Sequence, residues 1–543
     1  MTDRTTLPGF LAGALVGALV TAPAIAVCYL GQQLAGLPFV PFDVFDAVAR
    51  ALPGAVVTFG IDALVAGIRA LGLGEVSEVA KVAEQLLAIG GMFVAGVLAG
   101  AALFGVLRRW RPTSGLAAGL ALGVLVGVPA VVIGAAVNRT ATAGPIASAL
   151  WVLLLFLGWG AALGWAYDRL AAAAVRAATA PTAVAEPIDR RTFVIRLGGA
   201  AAVITVVGAG VGAWLATVRE RERARARGRP WSATHALPNA DAEVRPVPGT
   251  RPELTPVEDH YRIDINTRPP VIDEGEWRLR FGGRVERPTE WTLEALRSRY
   301  APLHQFVTLS CISNPVGGDL IGTQRWTGVP LRRILEEVRP LPGATHLRIR
   351  SADDFHEVLP IADAMADERI LLTYAWDGLP LPAEHGFPLR LYIPDRYGMK
   401  QPKWIETIEA IDGDEAGYWV RRGWDAEARM HATSVIDVVG VDMMVIQADR
   451  GTRIPIGGIA HAGARGISRV EVRVDGGPWQ PARLRAPLSD TTWVLWVFDW
   501  PFQPGAHTFT VRCFEGDGTP QEARRAPVRP AGATGLHGKD VMV

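Results

Sequence analysis

Cysteine is scarce in this chain: three thiols, Cys28, Cys311 and Cys513, are spread over 543 residues. Isolated thiols build no disulfide framework, and zinc and iron–sulfur sites normally draw on several clustered thiolates. Histidine is missing from the whole N-terminal part, all ten lying at His235 or later. That excludes the paired axial imidazoles of a transmembrane b-type haem from that region. No haem, flavin or iron–sulfur motif is visible elsewhere. Charge is also thin, at 20% of residues and a net +1, which argues against a nucleic-acid partner.

Apolar residues are plentiful. They make up 49% of the chain and give a positive mean hydropathy of +0.20, so part of it belongs in lipid. Leu11 to Leu30, Leu86 to Leu107, Leu116 to Val137, Ile146 to Tyr167 and Phe193 to Val218 each supply about the 20 apolar residues that cross a bilayer as helix. Their glycines and alanines suit close helix packing in lipid. Phe42 to Leu73 is apolar but interrupted by Asp43, Asp46, Arg50, Pro53, Asp62 and Arg69. Because charge at membrane depth is costly, it reads as interfacial or re-entrant helix, with a sixth span as the alternative. Arg108, Arg109, Arg111, Arg169, Arg176, Arg190 and Arg191 gather on one side, which the positive-inside rule makes cytoplasmic. Everything after Val218 is then extracytoplasmic, although the arginines that follow that span run against a naive count. Asp189-Arg190-Arg191-Thr192-Phe193 reads either as a pair of flanking arginines or as a twin-arginine export signal.

Arg219 to Pro256 is rich in Arg, Pro and Ala with no apolar period, and reads as a linker. Beyond it, strands are expected at Arg278 to Gly283 and Leu347 to Ile349, and helices at Leu293 to Tyr300 and Pro330 to Val338, which makes an α+β block. From His431 the pattern changes. Ser468 to Asp475 alternates with period two into a Gly476-Gly477 turn, and Thr508 to Phe514 places Phe509, Val511 and Cys513 on one face. Together with Trp493, Trp496 and Trp500, these strands argue for a β-sandwich of immunoglobulin-like type with Cys513 in its core.

Cys311 is the thiol placed differently. It ends the apolar run Val307 to Ser310 and is followed at once by Asn314, Pro315 and Gly317-Gly318. A buried inert thiol is one reading, since free cysteine is among the most buried residue types. A metal ligand is the other, because a sulfur leaving a strand into a Gly/Pro loop is offered outward, and soft thiolates favour thiophilic metals.

Four separated segments then point one way: His260-Tyr261-Arg262; Leu309 to Asn314 with Trp326 to Leu331; Glu384 to Leu391; and Tyr397 to Trp404. Together they resemble the sulfite oxidase family of molybdopterin oxidoreductases, in particular its bacterial membrane-attached members, over roughly Val257 to Gln521. The resemblance implies a molybdenum cofactor held by a pterin dithiolene and one protein thiolate, from Cys311. It implies pterin contacts at Tyr261, Arg262, Ser313, Asn314, Asp353, His385, Arg390, Gly398, Lys400 and Lys403, where a guanidinium fork and ammonium charges suit the pterin phosphate. The expected organisation is a transmembrane region over 1–218, a linker over 219–256, a molybdopterin domain over 257–428, an immunoglobulin-like dimerisation domain over 429–530, and a tail over 531–543.

The chemistry implied is two-electron oxygen-atom transfer on a small substrate of the sulfoxide, sulfite or oxyanion class. A separate protein or a quinone would exchange the electrons, and the immunoglobulin-like domain would pair two copies as a homodimer. The alternative is a non-catalytic, membrane-tethered binding protein that retains the pterin fold. Two departures from the family matter. Arg262-Ile263-Asp264 and Asn314 to Gly318 lack the arginines that line the anion site of sulfite-oxidising members, and Val257 stands where reductase-type relatives carry an asparagine.

Overall fold

The structure is a computed structural model that describes residues 7–72, 76–110, 114–179, 188–226, 236–447 and 451–543. Arg111 and the 227–235 part of the expected linker lie outside these residues. The helices of the N-terminal part are α1 (Phe10–Ala35), α2 (Val40–Ala51), α3 (Gly54–Leu71), α4 (Val76–Trp110), α5 (Gly115–Val137), α6 (Pro145–Thr179) and α7 (Ile188–Ala226). Among the described residues, five helices are long and apolar enough to cross a membrane: α1 and α4 to α7. The apolar stretch around Phe42 to Leu73 instead breaks at Pro53 into the shorter α2 and α3.

The chain divides into two units. The helical unit takes in 1–52, 80–226 and the separate segment 264–271. Small residues decide its packing. A Cβ on Gly119 would lie 2.1 Å from the carbonyl oxygen of Gly160, and one on Gly123 would lie 2.6 Å from that of Phe156, so α5 and α6 meet backbone to backbone. Gly13 and Gly17 give α1 the same closeness to Gly100 and Gly96 on α4.

Four of the charges that interrupt the apolar stretch, Asp43, Asp46, Arg50 and Asp62, have partners. Asp43 accepts from Asn138 Nδ2 at 2.6 Å, and Arg50 donates to Asn266 Oδ1 at 2.6 Å. Asp46 accepts from the backbone N–H of Thr267 at 3.0 Å. α3 belongs to the second unit, where Gly54 packs on Arg422 and Asp62 lies 3.6 Å from Arg529.

The second unit opens with β1 (Leu279–Gly283), β2 (Thr289–Trp291), α8 (Leu293–Arg299), β3 (Leu303–Ser310), β4 (Ile321–Pro330) and α9 (Leu331–Val338). It continues through β5 (His346–Ser351), β6 (His356–Pro360), α10 (Ile361–Ala366), β7 (Leu371–Trp376), β8 (Leu379–Pro380), β9 (Arg390–Tyr392) and β10 (Ile405–Ile411). Thr292 starts α8 by accepting from Ala295 N–H at 3.0 Å, an N-cap of the usual kind. One sheet runs β2-β1-β10-β5-β6, with β1 and β10 parallel, and the other runs β3-β4-β7-β8 with β9 on β7. The helices and both sheets share one apolar core that includes Leu279, Leu331, Leu335, Ile349, Leu372 and Ile408.

The remaining strands are β11 (Thr433–Val439), β12 (Val445–Gln447), β13 (Gly451–His461), β14 (Ile467–Val474), β15 (Gln480–Pro481), β16 (Arg483–Leu484), β17 (Val494–Pro501), β18 (Ala506–Glu515) and β19 (His537–Met542). They form two antiparallel sheets, β11-β13-β17-β16 with β12 on β13, and β15-β14-β18-β19. Ile436, Ile456, Trp496 and Trp500 from one sheet meet Val470, Val472, Phe509, Val511 and Cys513 from the other, which makes a β-sandwich.

Three stretches differ from expectation, the first being 219–226, expected as linker but part of α7, which runs on to Ala226. Leu237 to Pro256, expected as linker, is an ordered strap. Arg485, with its side chain only 5% exposed, pairs with Glu253 at 2.8 Å and donates to the carbonyls of Asn239 and Val244, while Thr255 N–H bonds to Thr323 O at 2.9 Å. These bonds carry no sequence period, so the pattern gave no sign of them. The expected tail, 531–543, contains β19, which pairs with β18 from Val511↔His537 to Ala506↔Met542. An edge strand buries only alternate residues on one side, and HGKDVM alternates too weakly to declare itself.

Candidate functional site

β3 is buried from Gln305 to its end and pairs with β4 up to Ser310↔Ile321, so Cys311 is the first residue free of the ladder. The loop that follows is closed at its neck by Cys311 N–H to Leu320 O at 2.9 Å. Asn314 Oδ1 accepts from Leu320 N–H at 3.0 Å, which fixes the turn from inside. Gly317 sits at a positive φ of 82°, a conformation that favours glycine.

Cys311 is 8% exposed, and its Sγ lies 3.0 Å from Ser313 Oγ. Burial pushes the thiol above its ordinary range, while the hydrogen bonds of Ser313 pull the other way. A thiol in that setting gives up its proton when a metal replaces it.

Tyr261 and Tyr397 flank the thiol electrostatically. Burial, with the Cys311 charge adding to it, holds Tyr261 well above the usual phenol range and Tyr397 up to about 12, so both keep their protons. Gly398 makes room for Tyr261, since a Cβ there would stand 2.9 Å from its hydroxyl.

Tyr261 also leads into a second cluster. Its ring stacks on His260 with centroids 5.3 Å apart, and His260 lies 4.7 Å from Trp376 and 5.4 Å from His385. Arg390, on β9 and 4% exposed, donates to His385 O at 2.9 Å and stacks over Trp326 at 4.6 Å and Trp376 at 5.5 Å. Burial drives His260 down to about 3 and His385 well below its ordinary value, with Arg390 and Lys403 lowering both and Arg262 adding to the effect on His385. Two neutral imidazoles therefore stand among cationic side chains, a setting that receives anions and hydrogen-bond acceptors. The indole N–H groups of Trp326 and Trp376 are buried here with no partner among the described residues. Such groups are normally satisfied, so these two fit a polar bound group.

The structure brings together most of the residues expected at the site. Tyr261, Cys311, Ser313, Asn314 and Gly398 form the thiol side, and Arg262, His385, Arg390 and Lys403 the cationic side. Lys403 donates to Glu384 O at 3.0 Å and Ile263 O at 3.2 Å. Asp353 is 2% exposed and shapes the β5–β6 turn by accepting from Phe355 N–H at 3.1 Å. Lys400 differs from the expected phosphate cation. Its ammonium is 2.6 Å from Glu357, which is 1% exposed, because a carboxylate buried that deeply needs a counter-charge. Sequence reading passed over Glu357 and did not give His260, Trp326 or Trp376 a role. His260 lay in the quoted His-Tyr-Arg segment and Trp326 in the segment after Cys311, so both were in view.

Residues 266–419 match the oxidoreductase molybdopterin binding domain. This block holds Cys311, His385 and Arg390 and stops just short of Tyr261 and Arg262. The chain is 27% identical to sulfite oxidase of Gallus gallus over 280 residues, covering 44% of this chain and 61% of the relative. It is 30% identical over 154 residues to a putative protein-methionine-sulfoxide reductase subunit YedZ1 of Azospira oryzae, covering 28% of this chain and 56% of the relative. Among solved structures, the sulfane dehydrogenase SoxCD from Paracoccus pantotrophus has 20% identity and a TM-score of 0.47, covering 58% of this chain and 90% of that one. The alignments thus span somewhat over half the length of the two curated relatives. The matched block defines a molybdopterin-binding oxidoreductase domain. Over this block the chain is similar to the molybdenum-dependent oxidoreductases of the sulfite oxidase family.

Proposed function

We propose that this protein is a membrane-anchored molybdenum oxidoreductase that moves an oxygen atom and two electrons to or from a small substrate on the extracytoplasmic side. The reading is carried by one observation: a buried lone thiol at a strand end shares Tyr261 with a cluster of Arg390, His260 and His385 in which two indole donors await a partner. When bound, the molybdenum cofactor supplies the two-electron exchange. Cys311 would be its protein ligand, and Arg390, Lys403, His385 and the two indoles would hold the pterin and its phosphate. Tyr397 keeps its proton, accepts from His431 N–H at 3.1 Å, and retains an O–H to present to a substrate oxygen.

The charge beside the thiol loop favours a neutral oxygen donor such as a sulfoxide over dianionic sulfite. Arg251 reaches Gly317 O at 3.4 Å, but its charge is met by Asp437 at 3.1 Å. His537, packed beside Gly317, is driven to about 4 by burial and the neighbouring Lys539 and Arg251, so it is neutral at pH 7. The relative named as a methionine-sulfoxide reductase subunit agrees with this preference. The β-sandwich would be an immunoglobulin-like domain that serves for homodimerisation, with electrons exchanged with a separate protein or a quinone.

The test is metal and pterin analysis of protein made in a molybdenum-replete host, followed by turnover with sulfoxides and with sulfite. Expected are stoichiometric molybdenum and preference for sulfoxides. Protein without molybdenum or pterin rejects the reading, and a clear preference for sulfite rejects the substrate class. A reporter fused after Trp424 that is active only in the cytoplasm would reject the sidedness.

A further inference from the structure

α3 has the apolar content of a membrane segment but not its length. Its apolar stretch covers Gly54–Ile68, about 22 Å of helix at 1.5 Å per residue and short of a hydrocarbon core of roughly 30 Å. One face nevertheless points away from the protein. Val56, Phe59, Ala63, Ala66 and Ala70 recur at helical spacing and are all exposed, Val56 by 50% and Phe59 by 75%. The opposite side is seated on the second unit, to which α3 belongs. A Cβ on Gly54 would stand 3.1 Å from the Arg422 side chain, so the start of the helix lies directly on the turn Val420–Arg422. Further along, Asp62 lies 3.6 Å from Arg529, whose guanidinium covers the Trp424 ring at 4.8 Å. Trp424 in turn packs with Tyr397 and with Ile312, the neighbour of Cys311.

We propose that α3 is a membrane-docking helix of the second unit, with the face of Val56, Phe59, Ala63, Ala66 and Ala70 lying in the bilayer interface. Two observations select lipid over a protein partner. The second unit itself includes 53–79 and so runs on to Val79, where the apolar spanning stretch Val79–Trp110 begins. Four residues separate Leu71 from Val76, the first residue of α4, and a connection of that length reaches at most about 18 Å. The end of α3 is therefore held close to a segment that enters the bilayer. The exposed face, moreover, carries no charge and no hydrogen-bonding side chain, whereas a specific protein interface includes polar contacts and a lipid surface asks only for apolar area. Interfacial helices normally keep a row of charges toward water. α3 has its second face on protein instead, so it needs none. The docking surface then lies on the side of the unit that Trp424 shares with Ile312 and Tyr397.

The experiment places a nitroxide label on Phe59→Cys in the purified full chain in lipid nanodiscs. It compares the label's collisions with oxygen, which concentrates in lipid, and with a water-soluble nickel chelate. The native thiols compete little, because Cys28, Cys311 and Cys513 are 1%, 8% and 0% exposed. Expected at Phe59→Cys is more oxygen than nickel access, at a depth of about 5–10 Å below the headgroups. A label on Glu290→Cys, whose side chain is 54% exposed on β2, is expected to show the reverse order. Nickel access at Phe59→Cys equal to that at Glu290→Cys puts the face in water and overturns the proposal. A label shielded from both reagents means that protein covers the face, whether the helical unit or a second copy, and overturns it as well. If Phe59→Cys does not accumulate, Ala63→Cys on the same face decides. The readout involves no cofactor, so its failure is distinct from a failure of the molybdenum reading.

Discussion

In the proposed function Cys311 would hold the metal and Arg390 the pterin, and their variants separate the two roles. Cys311→Ser replaces a soft thiolate by a hard hydroxyl of similar size. The fold is expected to persist while turnover falls by roughly 100-fold or more, at or beyond the upper end of what losing an outer-sphere partner costs. Normal turnover in purified Cys311→Ser would remove the thiol from the metal. Arg390→Ala is expected to empty the pterin site, read as low molybdenum content, and full content would sink the clamp. Both residues stood out in the sequence as candidates because each lies in a segment whose neighbours are informative: a strand end before Asn-Pro-Val-Gly-Gly, and His385 five residues ahead of Arg390. The Lys400–Glu357 pair was not, because its partners are 43 residues apart and nothing local marks Glu357 as buried. Glu357→Gln leaves the partly buried Lys400 ammonium without its carboxylate, a change expected to cost up to about 3 kcal/mol. Replacing both partners by methionine is expected to recover most of that loss in chemical unfolding, and a double variant as unstable as the single one would show that the pair does more than neutralise charge.

At the scale of elements, apolar length announced α1 and α4 to α7, and period-two alternation announced β14 and β18, since burial writes both into the sequence. The strap over Leu237 to Pro256 and the edge strand β19 escaped because their order comes from single polar bonds and from one-sided pairing. The two short helices α2 and α3 stood between readings. Their charges marked them as unusual, but only the tertiary partners Asn138, Thr267, Asn266 and Arg529 say what the charges do. Glycine content predicted close helix packing without saying which glycines mattered, and the contacts now do. Gly119→Ala forces a Cβ to within 2.1 Å of Gly160 O, so α5 and α6 must separate. Overpacking of this kind costs about 1–3 kcal/mol. Gly158→Ala on α6, where nothing lies within 4 Å, is the internal control and is expected to be neutral or slightly stabilising. Equal detergent-unfolding midpoints for the two variants would mean that the α5–α6 contact does not limit stability.

Across the whole molecule, the buried histidines set how stability depends on pH. Burial holds His260 at about 3 and, with Arg465 nearby, His461 at about 4, both below the ordinary value of 6.5. The folded form therefore keeps them neutral where the unfolded chain would protonate them. The unfolded state binds more protons between 6.5 and the folded value, so stability is complete above pH 6.5 and is lost as pH falls below it. Each such histidine costs about 1.4 kcal/mol per pH unit, which for His461 makes roughly 3 kcal/mol between pH 6.5 and 4. Buried carboxyls act in the opposite sense. Glu357 and Asp437 are pushed up, mainly by burial, so the folded form takes their protons more readily and recovers part of the loss at the acid end. The parent alone thus reports only a sum. His461→Gln, which cannot charge, isolates one contribution: its unfolding free energy is expected to match the parent's dependence above pH 6.5 and to fall less steeply than the parent's from pH 6.5 to 4.5. Parallel profiles for parent and variant over that interval would show that His461 is not held neutral in the fold.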